Sequence, residues 1–185
     1  MKRTETNLTG LYVLEPKVSL DHRGFFMEIF KEDVFRDAGL PARFVQDNQS
    51  RSKRGVIRAF HFQYDPPMGK LMRVGQGEAV VVAVDIRKKS PTFRQWFSVT
   101  LSDENKKMLY LSPGFAVGFC ALSDVVDMNY KFTSLYNAAG EANFRWNDPD
   151  IGVVWPTTDP ILSDRDRTAP SLAQWLQRPE SDLFE

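Results

Sequence analysis

Cysteine and histidine are nearly missing from this chain. Cys120 is its only cysteine, and His22 and His61 are its only histidines, in 185 residues. A single cysteine excludes an internal disulfide and fits a reducing compartment. The flanks of Cys120, Gly118-Phe119 before it and Ala121-Leu122 after it, read as a small buried core position rather than a nucleophile. With so few thiol and imidazole groups, a His-rich metal centre cannot be built, because such a site needs several ligands at fixed spacing. Nor does any acidic cluster suggest an oxygen-only site. Long apolar runs are lacking too. None approaches the roughly 20 residues that a membrane helix needs. The polar start, Met1 to Asn7, carries no signal-peptide apolar stretch. The expectation is a cytoplasmic protein with no membrane partner. An excess of either charge is also absent, with 24 Lys plus Arg against 24 Asp plus Glu. A balanced chain has no global attraction to nucleic acid, although a local basic pocket is still allowed. Finally, Pro66-Pro67-Met68-Gly69-Lys70 lacks the glycines and the hydroxyl of a phosphate-binding loop.

What is present is apolar and aromatic. Hydrophobic residues make up 42% and aromatics 12%, including fourteen Phe, a composition that folds. Strand-like runs occur at 56–64, 70–74, 78–86, 95–101, 108–111, 115–122 and 125–132, separated by turn residues. Short strands at this spacing predict an all-β sandwich or barrel. Gly75-Gln76-Gly77 between two such runs reads as a hairpin loop. The segment Glu78 to Ile86 is apolar on both alternating faces and so is expected to be covered on both, by a second subunit or by the chain's own loops. Helical signals are short: Glu32 to Ala38 before Gly39, and Ser171 to Leu176 with a serine cap. The tail from 178 to 185 is polar and expected to fray. No boundary divides the chain, so one domain over 1–185 is expected.

His61 stands in an aromatic strand, Arg58-Ala59-Phe60-His61-Phe62-Gln63. It is either a hydrogen-bonded structural histidine or a general base, since an unperturbed imidazole titrates near 6.5. As a base it needs a carboxylate to fix its tautomer, and the chain offers 24. Lys70 opens the next strand, as a solvated end or as a cation for a developing enolate or phosphate. Tyr130 is either core or a phenol able to give or take a proton.

Taken together with further motifs, these residues resemble the dTDP-4-dehydrorhamnose 3,5-epimerase family, whose fold is a cupin-like jelly roll. The resemblance spans roughly 8–170. It rests on Asp21–Glu28 (DHRGFFME), Phe44–Ser50 (FVQDNQS), Arg58–Gln63 (RAFHFQ), Gly69–Leu71 (GKL), Pro113–Phe119 (PGFAVGF), Tyr130-Lys131, Trp146–Asp148 (WND) and Leu162–Asp166 (LSDRD), in order. It implies an isomerase acting on a nucleotide diphosphate sugar, without metal or organic cofactor. His61 matches the catalytic base, Asp166 its dyad partner, Tyr130 the acid on the opposite sugar face, and Lys70 the stabiliser of the enolate. Arg23, Phe26, Glu28, Gln46, Asn48 and Arg58 match nucleotide- and diphosphate-binding positions, some serving the neighbouring subunit. Tyr136 matches an aromatic that stacks near the base. A homodimer with an exchanged N-terminal segment is implied.

Three places depart from the family pattern: the usual Arg-Gly-Leu-His is Arg58-Ala59-Phe60-His61 here, and two further positions lose a polar group. Val117 stands where Gly-Phe-Ala-His-Gly-Phe has its histidine, and Val81 where a strand aspartate is usual. If those two groups touch in relatives, losing both leaves an apolar patch, whereas losing one would strand a buried polar group at about 1–3 kcal/mol. The patch fits an ordinary 3,5-epimerase that has drifted. It equally fits an enzyme that inverts one centre only, or one that takes a dideoxy sugar or another nucleotide (CDP or GDP). A non-catalytic sugar-nucleotide-binding module is a further class.

Overall fold

Strand β8 (Glu78–Asp85), the third of the expected runs, shows how the chain folds. Its alternation sends Ala79, Val81 and Ala83 into one apolar cluster and Val82 and Val84 into another. The strand is therefore covered on both faces, and the second cover comes from this chain's own C-terminal third: Phe144, Ile151, Trp155, Leu172 and Trp175.

The computed structural model describes residues 1–184. The other strands in chain order are β1 (Lys2–Glu5), β2 (Leu11–Glu15), β3 (Val18–Asp21), β4 (Gly24–Met27), β5 (Gln46–Ser52), β6 (Ile57–Gln63) and β7 (Lys70–Gln76). After β8 come β9 (Trp96–Ser102), β10 (Met108–Leu111), β11 (Phe115–Ala121), β12 (Val126–Phe132) and β13 (Glu141–Asn143). Three short helices complete the set: α1 (Glu32–Asp37), α2 (Asp164–Arg167) and α3 (Leu172–Leu176). One sheet runs β1-β2-β10-β7-β12-β5, and a second runs β13-β6-β11-β8-β9. A separate hairpin pairs β3 with β4. The two main sheets enclose Leu11, Val13, Met72, Val74, Val81, Phe115, Val117 and Phe119. This is the cupin-like jelly roll expected from the sequence.

Some expectations need correcting. Gly75-Gln76-Gly77 is not a hairpin loop. Strands β7 and β8 lie in different sheets, so the segment is a corner between layers. Gly77 makes it, with φ of +83° and no room for a Cβ beside the Val125 carbonyl oxygen. Over 178–184 the tail is folded back onto the chain. Pro179–Leu183 forms a 3-10 turn in which Ser181 Oγ donates to the Leu176 and Arg178 carbonyls. Phe184 then buries its ring against Phe62 at 6.2 Å between centroids. One aromatic outweighs the polar residues before it, because fully burying such a side chain is worth about 1.5–3 kcal/mol. The last residue of the expected tail, Glu185, lies outside the described residues.

Candidate active site

The site opens at one end of the interior, where β6 and β11 of the second sheet face β5, β7 and β12 of the first. Val117 on β11 is the cross-strand neighbour of His61 on β6. The register slips between Val117 and Phe119, and Gly118 sits at the slip. A Cβ there would come within 2.3 Å of the Ala59 Cβ and 2.9 Å of the Arg58 carbonyl oxygen. Only glycine lets the two strands approach this closely. The aromatic strand now has two fates for its side chains. Phe60 and Phe62 enter the outer cluster, while His61 turns toward the interior cavity.

That cavity, of about 270 Å³, is lined by His61, Lys70, Tyr130, Arg58, Asn48 and Tyr136 over an apolar floor of Met72, Val117, Phe119 and Phe132. A larger cleft of about 420 Å³ crosses the outer face of the first sheet past Glu28 and Arg73. It touches Asn48 and Tyr130 but neither His61 nor Lys70, so we place the site in the smaller cavity.

His61 Nε2 lies 2.6 Å from Asp166 Oδ1. Asp166 is buried in α2, where Ser163 caps the helix by accepting from the Asp166 amide. Asn143 on β13 pairs with His61 and donates to the Arg165 carbonyl, tying α2 beside the histidine. An ionised carboxylate can only accept, so Nε2 carries the proton and Nδ1 keeps its lone pair.

Lys70 is buried, and its Nζ donates to the His61 carbonyl oxygen at 3.2 Å. Burial lowers its pKa to about 8, with partial compensation from Glu141. Among the described residues no carboxylate pairs with it. Phe132 gives it a ring face 5.9 Å away. Tyr130 reaches in from β12, and its phenol lies 3.0 Å from Ser50 Oγ. Burial pushes that phenol above its ordinary range, against smaller opposing effects of Ser50 and Arg58. It is therefore a neutral, proton-bearing group.

Arg58 donates to Ser52 Oγ and to the Arg51 carbonyl, which holds it along β5. Gln46 accepts from the Tyr136 amide and donates to Asn48, so it supports the loop as well as the wall. Gln63 fixes the same loop by accepting from the Asn137 amide. At the mouth, Tyr136 and Arg165 both donate to Glu141 Oε2, at 3.0 and 2.8 Å. Glu141, Arg165 and Ser50 escaped the sequence reading. Glu141 sits in a three-residue strand with no pattern of its own, Arg165 was passed over within the quoted LSDRD run, and Ser50 within FVQDNQS.

Four expected binding residues do not line the cavity: Gln46, which acts through Asn48 and the Tyr136 amide, and three that lie elsewhere. Arg23, Phe26 and Glu28 belong to the β3–β4 hairpin and its exit, and none lines the chain's own cavity. Arg23 pairs with Asp21, and Phe26 is 75% exposed. Val81 is buried in the inner apolar cluster with Val117, so the two departures share one dry patch. Among the described residues no three His, Cys, Asp or Glu gather to hold a metal ion. No helix among them is long and apolar enough to cross a membrane.

A jelly roll with a dyad-held imidazole, a partly desolvated lysine and a neutral phenol around one cavity has the groups of a proton-transfer isomerase. Comparison with known proteins narrows the class. The family model described as dTDP-4-dehydrorhamnose 3,5-epimerase matches residues 5–174, and the chain belongs to that family. The enzyme of that name from Methanothermobacter thermautotrophicus is 50% identical over 88% of this chain and 90% of its own. The one from Shigella flexneri is 47% identical over 90% of this chain and 93% of its own. The solved dTDP-6-deoxy-D-glucose-3,5-epimerase of Legionella pneumophila, in complex with dTDP-4-keto-L-rhamnose, superposes with a TM-score of 0.90 at 42% identity, covering 93% of each chain.

Proposed function

We propose that this protein inverts C3 and C5 of a dTDP-linked 4-keto-6-deoxyhexose in deoxysugar biosynthesis, acting in the cytoplasm as a homodimer. The observation that carries the reading is the His61–Asp166 contact of 2.6 Å beside Lys70 and Tyr130 in one cavity. The C4 ketone acidifies the C–H bonds on either side of it. His61 Nδ1 takes the proton, and Asp166 stabilises the imidazolium that forms. The electron pair moves onto the C4 oxygen, where the Lys70 ammonium meets it as an enolate. Tyr130 then delivers a proton to the other face, which inverts the centre. Arg58 and Asn48 supply the polar wall for the diphosphate and nucleoside, and Tyr136 a ring for the base.

The relatives at 50% and 47% identity are named 3,5-epimerases, which supports a two-centre reaction. Incubating the enzyme with dTDP-4-keto-6-deoxyglucose in deuterated water tests this. Deuterium is expected at both C3 and C5 in the product; label at one centre alone would replace the reading with a single-centre enzyme.

The dimer is supported by the hairpin. Leu20, Phe25 and Phe26 on it are exposed by 81%, 52% and 75%. Strand β5, which bears Gln46 and Asn48, is an unpaired sheet edge. An apolar hairpin and an open edge on one chain invite a second copy, which would bring Arg23, Phe26 and Glu28 toward a neighbouring cavity.

A further inference from the structure

Ser50 projects from the edge strand β5 into the cavity that holds His61. Its hydroxyl lies 3.0 Å from the Tyr130 phenol, and either oxygen has the geometry to donate. Among the described residues this is the only side-chain hydrogen bond of either group. The direction matters. A phenol that donates to serine has turned its proton away from the substrate. A phenol that accepts from serine keeps its own O–H free for the substrate carbon.

We propose that Ser50 is the positioning residue of the acid step, donating to Tyr130 Oη so that the phenolic proton faces the sugar and the phenolate left behind is stabilised. This rests on the acid role given to Tyr130 above. In the step itself, the enolate's electron pair forms the new C–H bond, the Tyr130 O–H bond breaks, and its electron pair stays on the phenolate oxygen. Ser50 keeps its proton throughout and acts only through the hydrogen bond, which strengthens as charge develops on its partner.

Deuterated water separates this role from a structural one, because two outcomes are read in one reaction. Label that enters with retention reports His61 alone; label that enters with inversion requires Tyr130. Ser50→Ala is expected to slow inversion by about tenfold to a hundredfold, the range of a hydrogen bond to a charged oxygen, while exchange with retention stays near the wild-type rate. Ser50→Thr keeps the hydroxyl and is expected to restore the wild-type ratio. Equal loss of both processes in Ser50→Ala, or a Ser50→Thr ratio like that of alanine, would overturn the proposal. Tyr130→Phe is the control. If it leaves the ratio unchanged, the acid role of Tyr130 fails, and this inference with it; if it shifts the ratio and Ser50→Ala does not, only Ser50 is wrong.

Discussion

A carboxylate 2.6 Å from His61 Nε2 does more than hold the ring still. It decides which nitrogen is basic. In Asp166→Asn the amide can donate to Nε2, which moves the ring proton to Nδ1 and removes the lone pair from the cavity side. Both exchange and inversion are expected to fall together by about 10² to 10⁴ in kcat, measured by solvent deuterium incorporation, with the thermal midpoint little changed. Lys70 sets the alkaline limb. Its folded pKa of about 8 lies below the ordinary 10.5 because burial disfavours the cation. It is the ammonium below about 8 and the neutral amine above. Epimerisation is therefore expected to decline as pH rises through about 8, and a kcat/KM profile flat to pH 10 would contradict Lys70 as the enolate's partner. Stability runs the other way. The unfolded chain binds the proton more tightly, so this group destabilises the ligand-free fold below about 8, and the cost is relieved between 8 and 10.5. That gap is on the order of 3 kcal/mol. Lys70→Met is expected to abolish turnover and raise the thermal midpoint at pH 7. The sequence singled out His61, Lys70 and Tyr130 on their own residues, and Asp166 only through the family resemblance; the structure lines one cavity with the first three and sets Asp166 against His61. The Ser50–Tyr130 pair was not legible in the sequence, because a contact across 80 residues leaves no mark on either local pattern.

At the scale of elements, alternation made the apolar strands readable and left the polar ones hidden. The runs at 56–64, 70–74, 78–86, 95–101, 108–111, 115–122 and 125–132 correspond to β6 through β12. Strand β5 reads Gln46-Asp-Asn-Gln-Ser-Arg-Ser52 and carries no apolar residue at all, since its inward residues form the polar wall of the cavity. Strand β1 is exposed throughout, so burial could not pattern it. Helix α3 was readable through Ser171, whose side chain accepts from the Gln174 amide while Gln174 answers to the Ser171 amide. Ser171→Ala is expected to cost about 1 kcal/mol, seen as a lower midpoint in denaturant with activity retained. Gly118 is the more consequential element-scale residue. A methyl group there meets backbone and a fixed Cβ rather than a flexible chain end. Gly118→Ala must push β6 from β11, with about 1–3 kcal/mol of strain, and it moves the strand that bears His61. Lower thermal stability accompanied by a larger fall in kcat is the expected result; an unchanged midpoint would show that the strands can part without cost.

Across the whole molecule, the cavity gathers the proton-transfer groups of one chain, but four of the residues matched to nucleotide binding do not line it. Gln46 stands behind Asn48, to which it donates. Arg23 and Phe26 lie on an exposed hairpin, and Glu28 at its exit borders a different cleft. A motif shows which residues a site uses and says nothing about which copy of the chain supplies them. If the second copy does, the defects of two different variants must complement one another. One chain carries His61→Ala with a sound hairpin; the other carries Arg23→Ala and Phe26→Ala with a sound cavity. Each homodimer is expected to be nearly inactive. In a mixed dimer, the second chain's cavity receives the first chain's hairpin and is complete, while the reciprocal site has lost its base. Random reassortment makes about half of the dimers mixed, each with one working site of two, so about a quarter of wild-type activity is expected after co-expression. Light scattering gives the accompanying mass, which should be twice the 21.2 kDa of one chain. A monomeric mass, or a co-expressed mixture no more active than its components, would mean that the hairpin serves the cavity of its own chain or none.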